Sequence, residues 1–443
     1  MGHKSKNGAK QGGGEAAPEP EILLTTTAPF NPKDAGDPLE LLDMCVAALH
    51  DRRGATREAA MAALVGALEA VAPVEELDSR CLAIFALCGV SIKKGTALAH
   101  APSASAAAAS AAREARLACR AVGLLALTLR AGSSGILAES FPAFARTLQF
   151  HALHDTATVL AALHSLAAVT FAGSLGAEEA DRSLKAIWEV VWPPSSRSPS
   201  KLTVGARKTT SPVVVAAAVS AWTFLLTTVN VTDARRKAER DAWNAAVASL
   251  AGLLEAGDRA VRMAAGTALA VCVELNLTQY TPRKDMEAVA ARVADLAIEA
   301  GGKGVDKTLF LEQKGLFKQI AAFLNYGERP SKSVRLQASS GRLALRVSTW
   351  VKLVQLEFLR SFLGGGFLNH VQGNKLFAEA FAMGADERKT LSIAAKKQDS
   401  KANQKKLKVK RDMAWEMKNV FFLPQRAAPQ ERWTEQLLQL GWH

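Results

Sequence analysis

The sequence predicts an all-α protein, an armadillo/HEAT-like α-solenoid with a small helical C-terminal domain and a long basic terminal helix. Three observations predict it. Aromatic residues are few, with 2 Tyr, 8 Trp and 17 Phe in 443 residues, while Ala and Leu abound, and strands favour aromatic and β-branched side chains. Apolar residues recur at helical spacing in segment after segment, divided by short polar turns. Hydrophobic residues reach 49%, enough for a real core, so a disordered chain is excluded.

Residues 1–36 are Gly- and Lys-rich, then Pro- and Glu-rich, and read as a flexible basic arm. Residues 37–300 read as the helical repeats. Asp37 can cap a helix that has Pro38 at its first position, and Leu39, Leu42, Val46 and Leu49 follow at helical spacing. Thr56 offers a second cap ahead of Ala59, Ala60, Ala63, Leu64, Ala67 and Leu68, which makes an αα-hairpin around Arg52-Arg53-Gly54. Val74 to Ile92 reads as a helix stopped by Lys93-Lys94-Gly95, since cations and glycine suit a C-terminus. Residues 97–112 then read as a loop or a solvent-facing helix extension. Arg116 to Leu129, Phe141 to Leu148, Asp155 to Phe171 and Leu184 to Val191 are further helices, and residues 193–212 form a long basic loop. The clearest repeat signature starts at Asp258: an Asp cap, then Val261 and Arg262 in the first turn, then Ala265, Gly266 and Ala268 where helices cross closely.

Residues 307–384 read as a compact helical domain. Its central helix is Thr349 to Leu363 with Val351, Val354, Phe358 and Phe362 on one face; Gly364-Gly365-Gly366 stops it, and a return helix from Phe367 to Phe381 turns Leu368, Val371, Leu376 and Phe381 inward. Residues 424–443 are a tail in which Trp433, Leu437, Leu438, Leu440 and Trp442 can form a short amphipathic helix.

The segment 385–423 carries the charge. It has no Gly and no Pro, so it can run as one helix roughly 55–60 Å long. Between Lys396 and Arg411 stand eight cations, Lys396, Lys397, Lys401, Lys405, Lys406, Lys408, Lys410 and Arg411, against the single acid Asp399, a net +7 of the chain's +13. From Ala395 to Leu407 the only apolar residue between is Ala402, so packing against its own domain cannot hold this rod. It needs an anionic partner, and a polyphosphate-lined groove or channel, where counterion release supplies affinity, fits a rod charged on every side. A solvated helix or a nuclear-import address is the plainer alternative for such a run.

Other chemistry is thin. The glycine-rich stretch Gly301 to Thr308 has Asp306 where a phosphate-binding loop needs its second glycine, and it follows a helical pattern, Val289 to Glu299, instead of a strand. His151, His154 and His164 lack the Cys or carboxylate neighbours of a metal set, and Asp155 alone does not supply one. His370 has no nucleophile or paired carboxylate beside it in sequence. No enzyme, no cofactor, no metal and no small-molecule substrate are expected. Cys45, Cys81, Cys88, Cys119 and Cys272, odd in number and set in apolar stretches, read as buried thiols of a reducing compartment. Met1-Gly2 lacks the Ser or Thr of a myristoylation signal at Lys6, and no secretory signal follows. The uncharged run Val213 to Val231 reads as a buried solenoid helix, not a membrane span.

In combination these motifs resemble the interferon-related developmental regulator family over most of the chain. The N-terminal resemblance rests on Arg52 to Ala60, Ala121 to Leu129, Ser220 to Thr228 and Val261 to Gly266. The C-terminal part rests on Ser348 to Lys352, Phe362 to Gly366 and Asn374 to Phe381. The terminal helix matches through Leu391-Ser392, Ala394 to Lys396 and Lys405 to Arg411, but it is Lys-rich where the family's is Arg-rich, and it continues into Met413 to Met417. The resemblance implies an armadillo-like domain, a compact C-terminal domain and a basic terminal helix. It implies two activities. One is binding to translationally inactive ribosomes, through rRNA and ribosomal proteins, with the helix in the mRNA path. The other is transcriptional co-regulation through protein partners such as co-repressors. The expected location is cytoplasmic, and nuclear for the second activity.

Overall fold

A computed structural model describes residues 30–70, 77, 79–99, 106–129, 133–193, 210–299, 307–335 and 344–381. These residues are predominantly helical. The helices are α1 (Pro38–Leu49), α2 (Gly54–Ala70), α3 (Cys81–Ala99), α4 (Ala106–Thr128), α5 (Ser133–Gln149), α6 (Thr156–Gly173), α7 (Ala177–Val191), α8 (Pro212–Leu226), α9 (Asp233–Ala238), α10 (Arg240–Leu253), α11 (Arg259–Glu274), α12 (Arg283–Ile298) and α13 (Lys307–Tyr326). After a strand pair come α14 (Trp350–Leu363), α15 (Phe367–Gly373) and α16 (Lys375–Ala380).

Neighbouring helices pair as αα-hairpins: α1 with α2, α3 with α4, α5 with α6, α7 with α8, α10 with α11 and α12 with α13. The second helices then stack in order, α2 on α4, α4 on α6, α6 on α8, α8 on α11 and α11 on α13. This is the helical-repeat solenoid that the periodicity predicts. Two of the hairpins share a device that explains their common sequence. Arg57 in the first turn of α2 donates from Nη1 to the carbonyls of Asp51 and Arg52, both at 2.9 Å, and reaches Glu114 on the stacked helix α4. Arg262 in α11 donates in the same way to Ala256 and Gly257, at 2.8 and 3.1 Å, and reaches Gln313 on α13. Each arginine closes the turn before its helix and ties that helix to the next repeat.

Asp37 caps α1, accepting from the N–H groups of Leu39 and Glu40, and Asp258 caps α11, accepting from Val261. Elsewhere the boundaries move. Helix α2 starts at Gly54, with Thr56 inside it, because Arg57 fixes the preceding turn. Helix α3 runs through Lys93-Lys94-Gly95 to Ala99; a Cβ at Gly95 would overlap Ala115 of α4, so this glycine permits a close helix crossing and ends nothing. Residues 106–112 are helical, and Ala111 is buried. Helix α5 starts at Ser133, with Pro142 inside it, and α7 starts at Ala177, with a backbone cap closed by Glu179 on Gly176. The apolar run after Ser211 is α8, buried at Val214, Val215, Ala218 and from Ala221 to Leu226. Helix α6 is long and apolar enough to cross a membrane by length and composition, and 56% of it is buried inside the fold.

The helical reading missed one element. Strands β1 (Lys332–Arg335) and β2 (Ala344–Val347) pair antiparallel, with Val334 opposite Leu345 on the inner side and Ser333 opposite Arg346 on the outer. With four residues each and no tight-turn dipeptide between them, they leave little signal in sequence.

One core runs from Leu42 to Ala378. The sequence places a boundary at Lys307, and in the structure α13 completes the last hairpin while residues 344–381 fold back onto the stack. Helix α14 crosses α11, α8 and α6, its Phe362 reaches α4, and the 3-10 turn Gly364–Gly366 reaches α2, so the chain retraces the array in reverse order. Phe358 stacks on Phe224 of α8 with ring centroids 3.9 Å apart, and Phe323 of α13 lies beside Trp350. Because α14 meets neighbours on several sides, Trp350, Leu353, Leu356, Leu359 and Leu363 are buried as well as Val354 and Phe362, whereas Val351 and Phe358 are only half-buried. The expected single return helix is broken at Asn374, whose side chain caps α16; Phe367, Val371 and Phe377 are the deeply buried residues there, with Leu368, Leu376 and Phe381 half-buried.

A Cβ at Gly366 would overlap the Glu69 carbonyl of α2, whereas one at Gly365 meets nothing. Gly366→Ala therefore destabilises the fold by about 1–3 kcal/mol in chemical denaturation, and Gly365→Ala changes it by less than about 0.5 kcal/mol. His370 is fully buried, and neither ring nitrogen closes a well-formed hydrogen bond. Burial pushes its pKa down to about 4 from 6.5, with the Leu68 backbone pulling weakly the other way. Below pH 6.5 the unfolded chain takes up a proton that the folded chain refuses until about pH 4. Stability attributable to this residue is thus whole above that window and falls through it by up to about 1.4 kcal/mol per pH unit. His370→Leu flattens this slope in denaturation curves taken between pH 7 and 4.5, relative to the parent chain.

Candidate functional site

The cations singled out by sequence, Lys396, Lys397, Lys401, Lys405, Lys406, Lys408, Lys410 and Arg411, lie outside the described residues, as do the arm 1–29, most of the basic loop (194–209), the glycine-rich stretch 300–306 and the tail. What the structure does place is the mount from which the basic segment leaves. Thr349 caps α14 on the N–H of Lys352, and the Glu274 carboxylate of α11 accepts from the N–H of Val351 at 2.7 Å, where the helix dipole favours an anion. Midway, Gln355 donates to the Thr227 hydroxyl at 3.0 Å. At the far end Arg120 of α4 donates to the Phe362 carbonyl at 2.8 Å while pairing with Glu69 of α2 at 2.6 Å, and so caps the negative end of α14. A Cβ at Gly123, beneath it, would stand 2.6 Å from the Phe362 ring.

Beyond the turn, Asn369 donates to the Ala70 carbonyl at 3.0 Å and Asn374 to the Leu127 carbonyl at 2.5 Å. Lys352 reaches back to the carbonyl of Ala380, closing the end of α16 against the start of α14, and burial lowers its pKa. Residue 381 is therefore held at a defined place on the array. The basic segment begins four residues later in sequence, at Ala385.

Beside this mount lies a cleft of about 360 Å³, lined among others by Glu58 of α2, Arg113, Arg116 and Arg120 of α4, His164 of α6 and Phe362 of α14. The arginines sit at i, i+3 and i+7 on one face of α4. Arg113 pairs with Glu58 at 2.6 Å, Arg116 with Asp155 at 3.0 Å and Arg120 with Glu69. Arg113 and the Ser110 hydroxyl hold the Glu58 carboxyl below its ordinary range. Sequence reasoning does not single these arginines out, because a stripe of cations on an isolated helix looks like a solvated face. Only the stacking of α2 and α6 on either side makes it a wall.

His151 bonds the Leu148 carbonyl and the Thr210 hydroxyl, and Asp155 caps α6 through Thr158, so neither is left for a metal. Among the described residues no group of three His, Cys, Asp or Glu side chains is placed to hold an ion. Cys45, Cys88, Cys119 and Cys272 are buried thiols, each pushed up to about 12 by desolvation, and Cys81 is half-buried.

Comparison with known proteins matches residues 23–325 to the family model described as "Interferon-related developmental regulator (IFRD)". Interferon-related developmental regulator 1 of Sus scrofa is 28% identical over 166 residues, 37% of this chain and 35% of the relative. The human counterpart is 26% identical over 166 residues, with the same coverage of both chains, and interferon-related developmental regulator 2 of Mus musculus is 28% identical over 173 residues, 39% of this chain and 37% of its own length. The aligned region spans little more than a third of these curated relatives. With its helical hairpins, its first-turn arginines and a family match over well over half its length, the chain belongs to the interferon-related developmental regulator family.

Proposed function

We propose that this protein is a non-enzymatic repressor of translation that binds inactive ribosomes and places its basic segment 385–423 in the mRNA path. The observation that carries this reading is the pairing of a fixed mount with a concentrated charge: residues 344–381 are tied to the array from α11 back to α2, and the +7 run from Lys396 to Arg411 begins 15 residues further along the sequence. A fixed point of attachment limits where the cationic segment can reach among polyanions. In this reading Lys397, Lys401, Lys405 and Lys408 form one stripe toward rRNA phosphates with Arg411 at its edge, and Lys406 and Lys410 meet the opposite wall. Phosphate contacts position without reading sequence, so silencing is independent of the message. The protein acts in the cytoplasm.

A second reading, a nuclear co-regulator scaffold, draws on a different surface. Helix α3 leaves Leu82 and Val90 78% and 63% exposed, with Ala83 and Ala86 between, an apolar strip suited to a protein partner. The layer crossed by α14 is already covered by the chain itself.

In sucrose-gradient sedimentation of a cell extract, the full chain runs with monomeric ribosomes and a chain lacking 385–423 stays near the top; if both stay at the top, the scaffold reading replaces this one. Changing Lys397, Lys401, Lys405 and Lys408 to Gln flattens the salt dependence of ribosome binding by a slope of about 0.7–0.9 for each phosphate that is no longer neutralised. A Gly/Ser insert of about ten residues after Phe381 keeps every charge but loosens the attachment, and so weakens ribosome association without lowering the denaturation midpoint. Unchanged association would mean that the mount does no orienting.

A further inference from the structure

The cleft between α2, α4 and α6 has more donor capacity than its ion pairs use. A guanidinium carries five N–H donors. Arg116 gives Nη1 to Asp155, and its Nε and Nη2 make no hydrogen bond within the described protein; Arg113 gives Nε and Nη2 to Glu58 and keeps Nη1 uncommitted. Of the partner carboxylates only Glu58 lines the cleft, while Asp155 and Glu69 pair with Arg116 and Arg120 from outside it. Leu117, Ala161 and the Phe362 ring supply an apolar wall. Ser165, also in the lining, is 1% exposed, and its hydroxyl has no partner, although a helical serine ordinarily satisfies itself on the carbonyl four residues back. Burial, then the charge of Arg120, lower the pKa of His164, which leaves it a neutral ring at the edge of this wall.

We propose that this cleft binds a small phosphate ester bearing a flat apolar group, of the nucleoside monophosphate type. The phosphoryl oxygens meet Arg116 and Arg113, and the ring lies against Leu117, Ala161 and Phe362. A phosphoryl group offers three strong acceptors to the two guanidinium groups where a carboxylate offers two, and the volume, about 360 Å³, falls in the range of small-ligand sites. No bond is made or broken. The site shares no residue with segment 385–423, so it stands or falls independently of ribosome binding.

Equilibrium dialysis of the full chain against labelled adenosine monophosphate tests it, with inorganic pyrophosphate and adenosine as competitors. Pyrophosphate displaces the label and adenosine at equal concentration does not. Arg116→Gln weakens binding by about tenfold or more. Asp155→Asn keeps an acceptor for the Thr158 N–H but releases Arg116, and it binds at least as tightly as the parent chain. An ion pair of purely structural value predicts instead that these two substitutions, made on the same pair, act alike. That outcome overturns the proposal, as does displacement by adenosine as efficient as by pyrophosphate, or no binding up to ~10 mM.

Discussion

The packing on which this structure depends is the crossing of α14 over the stacked helices. An array of helical hairpins buries each helix against its neighbours but leaves the outward side of the stack to be covered by solvent, a partner or the chain itself. Here the chain covers it, from Trp350 beside Phe323 to Gly366 against Glu69. The crossing requires close approach, which is why glycine stands at 123 and 366, where a Cβ would meet a ring or a carbonyl. It also changes the energetics of the array. A solenoid held only by nearest-neighbour interfaces can fray at its ends. A segment that bonds Ala70 from 299 residues away ties the first hairpin to the last, so opening one end disrupts packing at the other.

Polar groups set the register of the packing more than they stabilise it. The buried side of the Arg57–Glu114 pair, and the Arg262 network, satisfy carbonyls that a tight turn would otherwise leave unpaired, which matters more than their Coulomb energy. Arg120 does two tasks at once, since it neutralises Glu69 and caps α14 at Phe362. These fixings converge on residue 381, four residues before the basic segment begins in sequence. The same α4 face that carries Arg120 also carries Arg113 and Arg116, so the stack that builds the mount builds the cleft beside it.

The caps at Asp37 and Asp258, the helical period of nearly every segment, the burial of the run after Ser211 and the concentration of charge between Lys396 and Arg411 are all legible in the sequence. Local rules govern them: a cap needs one side chain and a free N–H group, a period needs one chain, and charge needs only counting. What the sequence does not carry is the identity of each partner. Gly95 after two lysines reads as a helix end, and only the position of Ala115 on α4 makes it a crossing point. Val351 and Phe358 fall on one face of α14, yet the most buried residues there include Trp350, Leu356 and Leu359, because helix packing comes from several sides. The arginines at 113, 116 and 120 become a cleft only when α2 and α6 stand on either side of them. Periodicity states that a face is buried and composition states that a surface is charged. Which surfaces meet depends on residues hundreds of positions apart, and their pairing exists only in the folded chain.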